Sequence, residues 1–154
     1  MTITMVPMRW WHIDQAVGID AELFGSTAWT AAQFWSELAR ANRYYIVLVK
    51  PDSGQQVLGY AGIAMTAPDA DVQTIAVASA IQDQGWGRKL IARLVNIAHQ
   101  GGCRRLMLEV RDDNTAALHL YTQQGFISIA RRSSYYGPGA DAIIMERDVR
   151  DGRE

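Results

Sequence analysis

Residues 74 to 90 carry the first pattern capable of chemistry. Thr74-Ile75-Ala76-Val77 reads as a strand, Ala78 to Gly87 as a glycine-bearing loop, and Arg88-Lys89-Leu90 as the opening of a helix. Unpaired amides at a helix N-terminus, together with the helix dipole, attract anions. Gly85 and Gly87 lack a Cβ, so the backbone there can approach a phosphate closely. Arg88 and Lys89 add positive charge beside them. The spacing is not that of a Gly-x-x-x-x-Gly-Lys-Ser/Thr loop. Nor is it a Gly-x-Gly-x-x-Gly fingerprint, because Leu90 stands where the last glycine would be. A lone Gly-x-Gly is also compatible with a turn that only lets a helix begin, and the loop by itself leaves both readings open.

The next segment narrows them. Leu108-Glu109-Val110-Arg111-Asp112-Asp113-Asn114 passes from strand to helix. Asn114 and Tyr121 lie two helical turns apart and share a face, with the small Ala117 between them, so a groove runs beside that face. Glu109 sits near the C-terminal end of its strand, where open sheets with helical crossovers place ligand sites.

These segments must be positioned by the rest of the chain. Ile3 to Met8 reads as a short strand. Ile13, Ala16, Val17, Ala21 and Phe24 recur at helical spacing, and Gly25-Ser26 breaks that helix. Thr30 with Gln33 forms a capping box for a second helix through Arg40. Tyr44 to Lys50 and Val57 to Thr66 are strands of a hairpin turned by Pro51-Asp52-Ser53-Gly54. Val72 to Val77 is a strand and Gly85 to Gln100 an amphipathic helix with Leu90, Ile91, Leu94, Val95 and Ala98 on its apolar stripe. Arg105 to Val110 is a strand presenting Leu106, Leu108 and Val110 on one side. Asn114 caps a helix to Gln124, stopped by Gly125. Phe126 to Ser134 and Ala142 to Asp148 are the last two strands. The order β-α-α-β-β-β-α-β-α-β-β predicts an α/β (α+β) chain: a mixed central sheet of about seven strands covered by about four helices.

Composition bounds the function. A chain of 154 residues, 49% hydrophobic and 20% charged, suits one domain, 1–154, with its own core. A net charge of −1 argues against a nucleic-acid coat or a membrane-surface protein. The charge is uneven: residues 1–77 hold four basic and seven acidic side chains, residues 78–154 eleven and nine, and only Lys50 and Lys89 are lysines. Arginine pairs bidentately with phosphate, although such an excess also suits an ordinary solvated surface. One cysteine and three scattered histidines predict neither a disulfide nor a metal site, and Cys103 is expected to be buried. No apolar run approaches about 20 residues, and Met1 to Met8 lacks the pattern of a signal peptide, so the expected location is the cytoplasm. Trp10, Trp11 and Trp35 are expected to be packing residues. Arg131 and Arg132 either steer a partner or face solvent.

Gln82-x-x-Gly85-x-Gly87 after Ile75-Ala76-Val77 resembles the acetyl-coenzyme A motif of the GCN5-related N-acetyltransferases (GNAT). Asn114-x-x-Ala117-x-x-Leu120-Tyr121-x-x-x-Gly125-Phe126 resembles the second signature of that superfamily, whose fold has the same element order. A narrower resemblance, to bacterial enzymes that acetylate a ribosomal-protein alanine, rests on Leu108-Glu109-Val110-Arg111, Arg131-Arg132-x-x-Tyr135-Tyr136 and Asp141-Ala142-Ile143-Ile144-Met145. It covers nearly the whole chain and is weakest over residues 1–60.

The resemblance implies that Asp83, Gln84, Gly85, Trp86, Gly87 and Arg88 hold the coenzyme pyrophosphate. Ile75, Ala76 and Val77 would lie along the pantetheine arm, with an amide near Val77 polarising the thioester. Asn114 matches a cofactor-contacting asparagine, Glu109 the general base and Tyr121 the general acid. Tyr135 and Tyr136 would form one wall of a peptide groove, and Phe24 and Trp29 the other. Asp83 stands where the family often has a basic residue, and Ala78-Ser79 where Asp-Pro is common. The implied reaction moves acetyl from acetyl-CoA, without metal, to the N-terminal amine of a protein, namely the N-terminal alanine of a small-subunit ribosomal protein. The enzyme would be a monomer with no direct nucleic-acid or membrane partner. Alternatives are a lysine or small-molecule amine acceptor, a non-catalytic acyl-CoA sensor, and a ribosome-binding protein without catalysis.

Overall fold

The computed structural model describes residues 2–152. Its strands and helices follow the predicted order: β1 (Thr4–Pro7), α1 (Ile13–Phe24), α2 (Ala31–Leu38), β2 (Arg43–Lys50), β3 (Gln56–Thr66), β4 (Asp69–Val77), α3 (Trp86–Gln100), β5 (Arg105–Arg111), α4 (Thr115–Gln123), β6 (Ile127–Arg132) and β7 (Ala142–Asp148). The sheet is mixed, with strand order β1-β2-β3-β4-β5-β7-β6. β4 and β5 pair in parallel, Asp69 to Asp71 opposite Arg105 to Met107, while β1–β2, β2–β3, β5–β7 and β6–β7 are antiparallel. β4 begins three residues earlier than its apolar run predicts. The cause is Arg105, which donates to Asp69 at 2.8 Å and neutralises a carboxylate that by itself reads as a turn residue.

Contacts divide the chain into two compact units. The first comprises Met1–Ala64 and Gln73–Leu90. Its core gathers Met8, Ile13, Ala16, Phe34, Tyr45, Val47, Val49, Val57, Tyr60 and Ala76. Helix α2 starts as its sequence dictates: the Thr30 hydroxyl accepts from the Gln33 amide at 3.2 Å, and Gln33 Oε1 accepts from the Thr30 amide at 2.8 Å. This reciprocal cap satisfies two amides that a helix start otherwise leaves unpaired. Opposite Tyr45 in the β2–β3 ladder stands Gly62, where a Cβ would fall inside the Tyr45 ring. That ring is buried, and its hydroxyl donates to Gln73 Oε1 at 2.6 Å. Gly62→Ala is therefore expected to destabilise the fold by about 1–3 kcal/mol through overpacking. A urea midpoint equal to that of the parent protein would show that the ring yields freely.

The second unit comprises Met65–Val72 and Ile91–Glu154. Leu94, Val95 and Ala98 of α3 are fully buried, as are Leu106, Leu108 and Val110 of β5 to within a few per cent. Cys103 is buried, as expected. Asn114 caps α4 by accepting from the Ala117 amide at 3.2 Å. Gly125, at φ 87°, lets the chain leave that helix in a backbone conformation that a side chain would oppose.

The expectation that Trp10, Trp11 and Trp35 pack inside is corrected. They are 61%, 52% and 50% exposed. Trp10 and Trp11 stack edge-on against each other instead, with ring centroids 5.6 Å apart. The buried stripe of α1 is also displaced from the expected one. Ile13, Ala16 and Asp20 are buried, whereas Ala21 and Phe24 are exposed.

Candidate active site

In the first unit the loop between β4 and α3 is shaped by its own side chains. Gln82 Nε2 donates to the Val77 carbonyl at 2.9 Å, which closes the turn Ala78 to Gln82. The Ala78 amide is bound to the Leu58 carbonyl at 2.9 Å. Asp83 and Gly85 take φ values of 62° and 86°. Aspartate tolerates this left-handed region, and glycine enters it without strain. The helix that follows presents the amides of Trp86, Gly87 and Arg88 in its first turn, where no helical acceptor exists for them. The Arg88 guanidinium folds back over Gly85, and the Lys89 ammonium lies 4.2 Å from the centre of the Trp86 ring. The loop thus offers main-chain donors with positive charge beside them, suited to an anion.

The same unit holds Phe24 and Trp29, expected as one wall of the groove. Phe24 is 41% exposed. The Trp29 ring leans on Phe34 at 5.1 Å and Tyr45 at 6.4 Å between centroids.

In the second unit, Glu109, Tyr121, Tyr135 and Tyr136 come together. Glu109 projects from the face of β5 opposite Leu108 and Val110 and stays exposed. Its Oε1 lies 3.5 Å from the Arg132 guanidinium of β6. Arg132 in turn sits 5.1 Å over the Tyr135 ring, and Arg111 5.6 Å over the Tyr136 ring. Tyr135 and Tyr136 stack edge-on at 5.1 Å. The negative charge of Glu109 raises Tyr136 after burial does, and Tyr136 in turn adds to the burial that pushes Tyr121 up to about 12. Tyr136 therefore stands within electrostatic reach of both the carboxylate and the buried phenol. Tyr121 is 7% exposed and packs on Phe126 at 5.9 Å. A phenol so raised is a proton donor at neutral pH, and an exposed carboxylate is a proton acceptor.

The two arginines left open by the sequence have different tasks. Arg131 bridges Asp112 at 2.7 Å and Asp141 at 2.8 Å. Asp141 also accepts from the Ser134 amide at 2.8 Å, so the base of the Tyr135-Tyr136 loop is tied to the β5–α4 turn. Arg132 is the one that meets Glu109.

Two side chains escaped the sequence reading. Asp71 shares a face of the paired strands with Glu109, and burial, then Asp69 and Glu109, raise its carboxyl. Asp20 is buried in the first unit, and the helical spacing of Ile13 and Ala16 was the signal that put it on the inward stripe. A cavity of about 420 Å³ lies at the other end of β5, lined by Pro68, Arg104, Arg105 and Arg150 with Asp69, Glu146 and Asp148. Arg105 is paired there with Asp69 and Glu146, and Arg150 with Asp148, so the charges largely answer one another. Among the described residues no group of three or more His, Cys, Asp or Glu side chains is arranged to hold a metal. No described helix is long and apolar enough to cross a membrane.

Residues 7–126 match the Acetyltransferase (GNAT) family, and the chain belongs to that family. It is 42% identical over 139 residues to the N-alpha-acetyltransferase RimI of Mycobacterium tuberculosis, a match covering 86% of this chain and 84% of that protein. The crystal structure of the ribosomal-protein-S18-alanine N-acetyltransferase from Escherichia coli has the same fold, with a TM-score of 0.84 and 26% identity over 96% of this chain and 94% of that one. Arabidopsis thaliana NAA60, solved in complex with acetyl-CoA, shares the fold at a TM-score of 0.85 and 17% identity over 96% and 98% of the two chains.

Proposed function

We propose that the chain, acting as one domain over residues 1–154, transfers acetyl from acetyl-CoA to the α-amine of a protein N-terminus. The acceptor is the N-terminal alanine of ribosomal protein S18, the substrate that the name of the Escherichia coli enzyme gives for that protein. The observation that carries the chemistry is the set of Glu109, Tyr121 and Tyr136: an accessible carboxylate joined through Arg132 and Tyr135 to the Tyr136 ring, a buried protonated phenol, and a second phenol that feels both.

The amides of Asp83, Gln84, Gly85, Trp86, Gly87 and Arg88 bind the pyrophosphate. Backbone contacts are favoured over the Asp83 side chain, whose charge opposes the ligand. Ile75, Ala76 and Val77 line the pantetheine arm. The resemblance assigns the thioester oxygen to an amide near Val77, and the neighbouring Ala78 amide is already bound to the Leu58 carbonyl. Asn114 uses Oδ1 for its cap and offers Nδ2 to the coenzyme. Phe24 with Trp29, and Tyr135 with Tyr136, are the aromatic pairs assigned to contact the peptide N-terminus.

An amine attacks a thioester only as its free base. An α-amine (pKa about 7.7–8.0) gives up its proton to Glu109, directly or through water, far more readily than a lysine at about 10.4. The nitrogen attacks the carbonyl carbon, the C–S bond breaks, the departing thiolate takes a proton from Tyr121, and the second proton that leaves the nitrogen restores the Tyr121 phenol, directly or through water. No covalent enzyme intermediate is needed, in keeping with the inert position of Cys103.

Mass-spectrometric assay of the pure protein with an alanine-led peptide, a lysine-only peptide and small amines tests the reading. Acetylation confined to the α-amine is expected. Acetylation of lysine or small amines alone would replace the acceptor, and acetyl-CoA binding without turnover would make the chain a sensor. Tyr121→Phe is expected to lower kcat about 100-fold, a typical share for a proton donor, while calorimetry finds the acetyl-CoA Kd unchanged. Because Tyr121 is raised to about 12, kcat of the parent should show no alkaline fall from this phenol until pH nears that value. Wild-type kcat in the variant would remove Tyr121 from the mechanism.

A further inference from the structure

Asp20 of α1 is 2% exposed, yet it carries a carboxylate into an apolar core. Such a group is costly to bury unless its oxygens are fully used, and a hydrophobic residue of similar size would pack the helix as well. Both oxygens are used. Oδ2 accepts from the main-chain amide of Trp29 at 2.7 Å. Oδ1 accepts from the hydroxyl of Tyr60 on β3, a side chain with no exposure. One carboxylate therefore joins three points: the middle of α1, a central strand, and the residue just before the cap of α2.

The segment held in this way runs from Phe24 to Thr30 and contains both aromatic residues assigned to one wall of the acceptor groove. Its path is otherwise set by few polar contacts. The Thr27 hydroxyl and the Ala28 amide bond only to neighbours within the segment, Phe24 and Gly25. The Tyr60 ring continues the support, edge-on to Phe34 at 5.5 Å, and Phe34 underlies the Trp29 ring. Burial and the neighbouring Asp20 charge drive the Tyr60 phenol well above the usual tyrosine range, so it remains a donor at all relevant pH.

We infer that Asp20, with Tyr60, is a positioning pair for acceptor recognition: it sets the height and angle of Trp29 and so governs peptide binding without touching the reacting atoms. This rests on the acceptor reading given above. It predicts an effect on the peptide KM that leaves kcat and coenzyme affinity in place.

The test uses the full chain with Asp20→Asn and Tyr60→Phe, and Glu22→Gln as a control on the solvent side of the same helix. Asp20→Asn is expected to raise the peptide KM about tenfold, the scale of one hydrogen bond to a charged group, with kcat within about twofold and the acetyl-CoA Kd unchanged. Amide hydrogen exchange at Trp29 should accelerate by about tenfold or more in Asp20→Asn. In Tyr60→Phe the Trp29 amide should stay protected while KM rises less. Glu22→Gln should change neither. An unchanged peptide KM in Asp20→Asn overturns the inference. So does a parallel loss of kcat, KM and coenzyme binding with thermal stability, which would mark general loosening. If the parent protein fails to acetylate any α-amine, the acceptor reading falls and takes this assignment with it, a result distinct from a parent that works and a variant that matches it.

Discussion

Glu109→Gln is expected to lower kcat/KM for an alanine-led peptide by about 10³-fold, within the usual range for losing a general base. Glutamine keeps the shape and the exposed setting of the side chain on β5 but cannot take the ammonium proton. The pair with Arg132 does little to hold the base, since ion pairs this exposed contribute about 0–1 kcal/mol. The loss should therefore reflect proton transfer and not a displaced strand. Residual turnover in the variant should rise with pH, because the free-amine fraction of the acceptor grows up to its own pKa of about 7.7–8.0. Stopped assays from pH 6 to about 9 would show this as a slope near one in log rate below the amine pKa. Parent-like turnover in the variant would exclude Glu109 as the base.

The second large effect is structural. Phe34→Ala should cost about 3–5 kcal/mol of folding stability, a substantial part of the 5–15 kcal/mol that holds a domain of this size. Phe34 has no exposed surface and is wedged between Trp29 and Tyr60, the latter edge-on at 88°. Removing it opens a cavity that the neighbouring rigid β2 and β3 strands cannot collapse to fill, and it forfeits two aromatic contacts, each worth about 0.5–1.5 kcal/mol. Urea unfolding with an unchanged slope and a lowered midpoint would register the loss. A cost below about 1 kcal/mol would mean that this part of the first unit is not close-packed.

What the residues announced and what they hid divide along a physical line. Local signals were readable. The Thr30–Gln33 box, the Asn114 cap, the Gly125 stop and the alternation of Leu106, Leu108 and Val110 all depend on neighbours within a few positions, and each stands where its chemistry requires. The glycine loop was readable as a candidate anion site because the donors proposed for it are main-chain amides in conformations that Gly85 permits. Long-range partners were not. Asp20 reads as a solvent residue until Tyr60, forty positions away, supplies its donor. Asp69 reads as a turn until Arg105 meets it. Trp10 and Trp11 read as core by their hydrophobicity, yet β1 is short and lies at the end of the sheet, and the turn that follows it holds both rings outward. Hydrophobicity ranks a side chain's preference, and chain geometry decides whether it is met.

The loop from Ser134 to Ala140 is closed at its foot by Asp141 and Arg131, and internally by Tyr136 to Ala140 and Ala140 to Gly137 hydrogen bonds of 3.0 Å. Its backbone is therefore held by its own few residues and one brace, while Arg111 of β5 and Arg132 of β6 meet only its two tyrosine rings. That makes the tip an exchangeable cassette. On the acceptor reading proposed above, an exchange of residues 137–139 between the same two anchors, with Tyr135 and Tyr136 kept, is expected to alter the choice of acceptor while the sheet stays as it is.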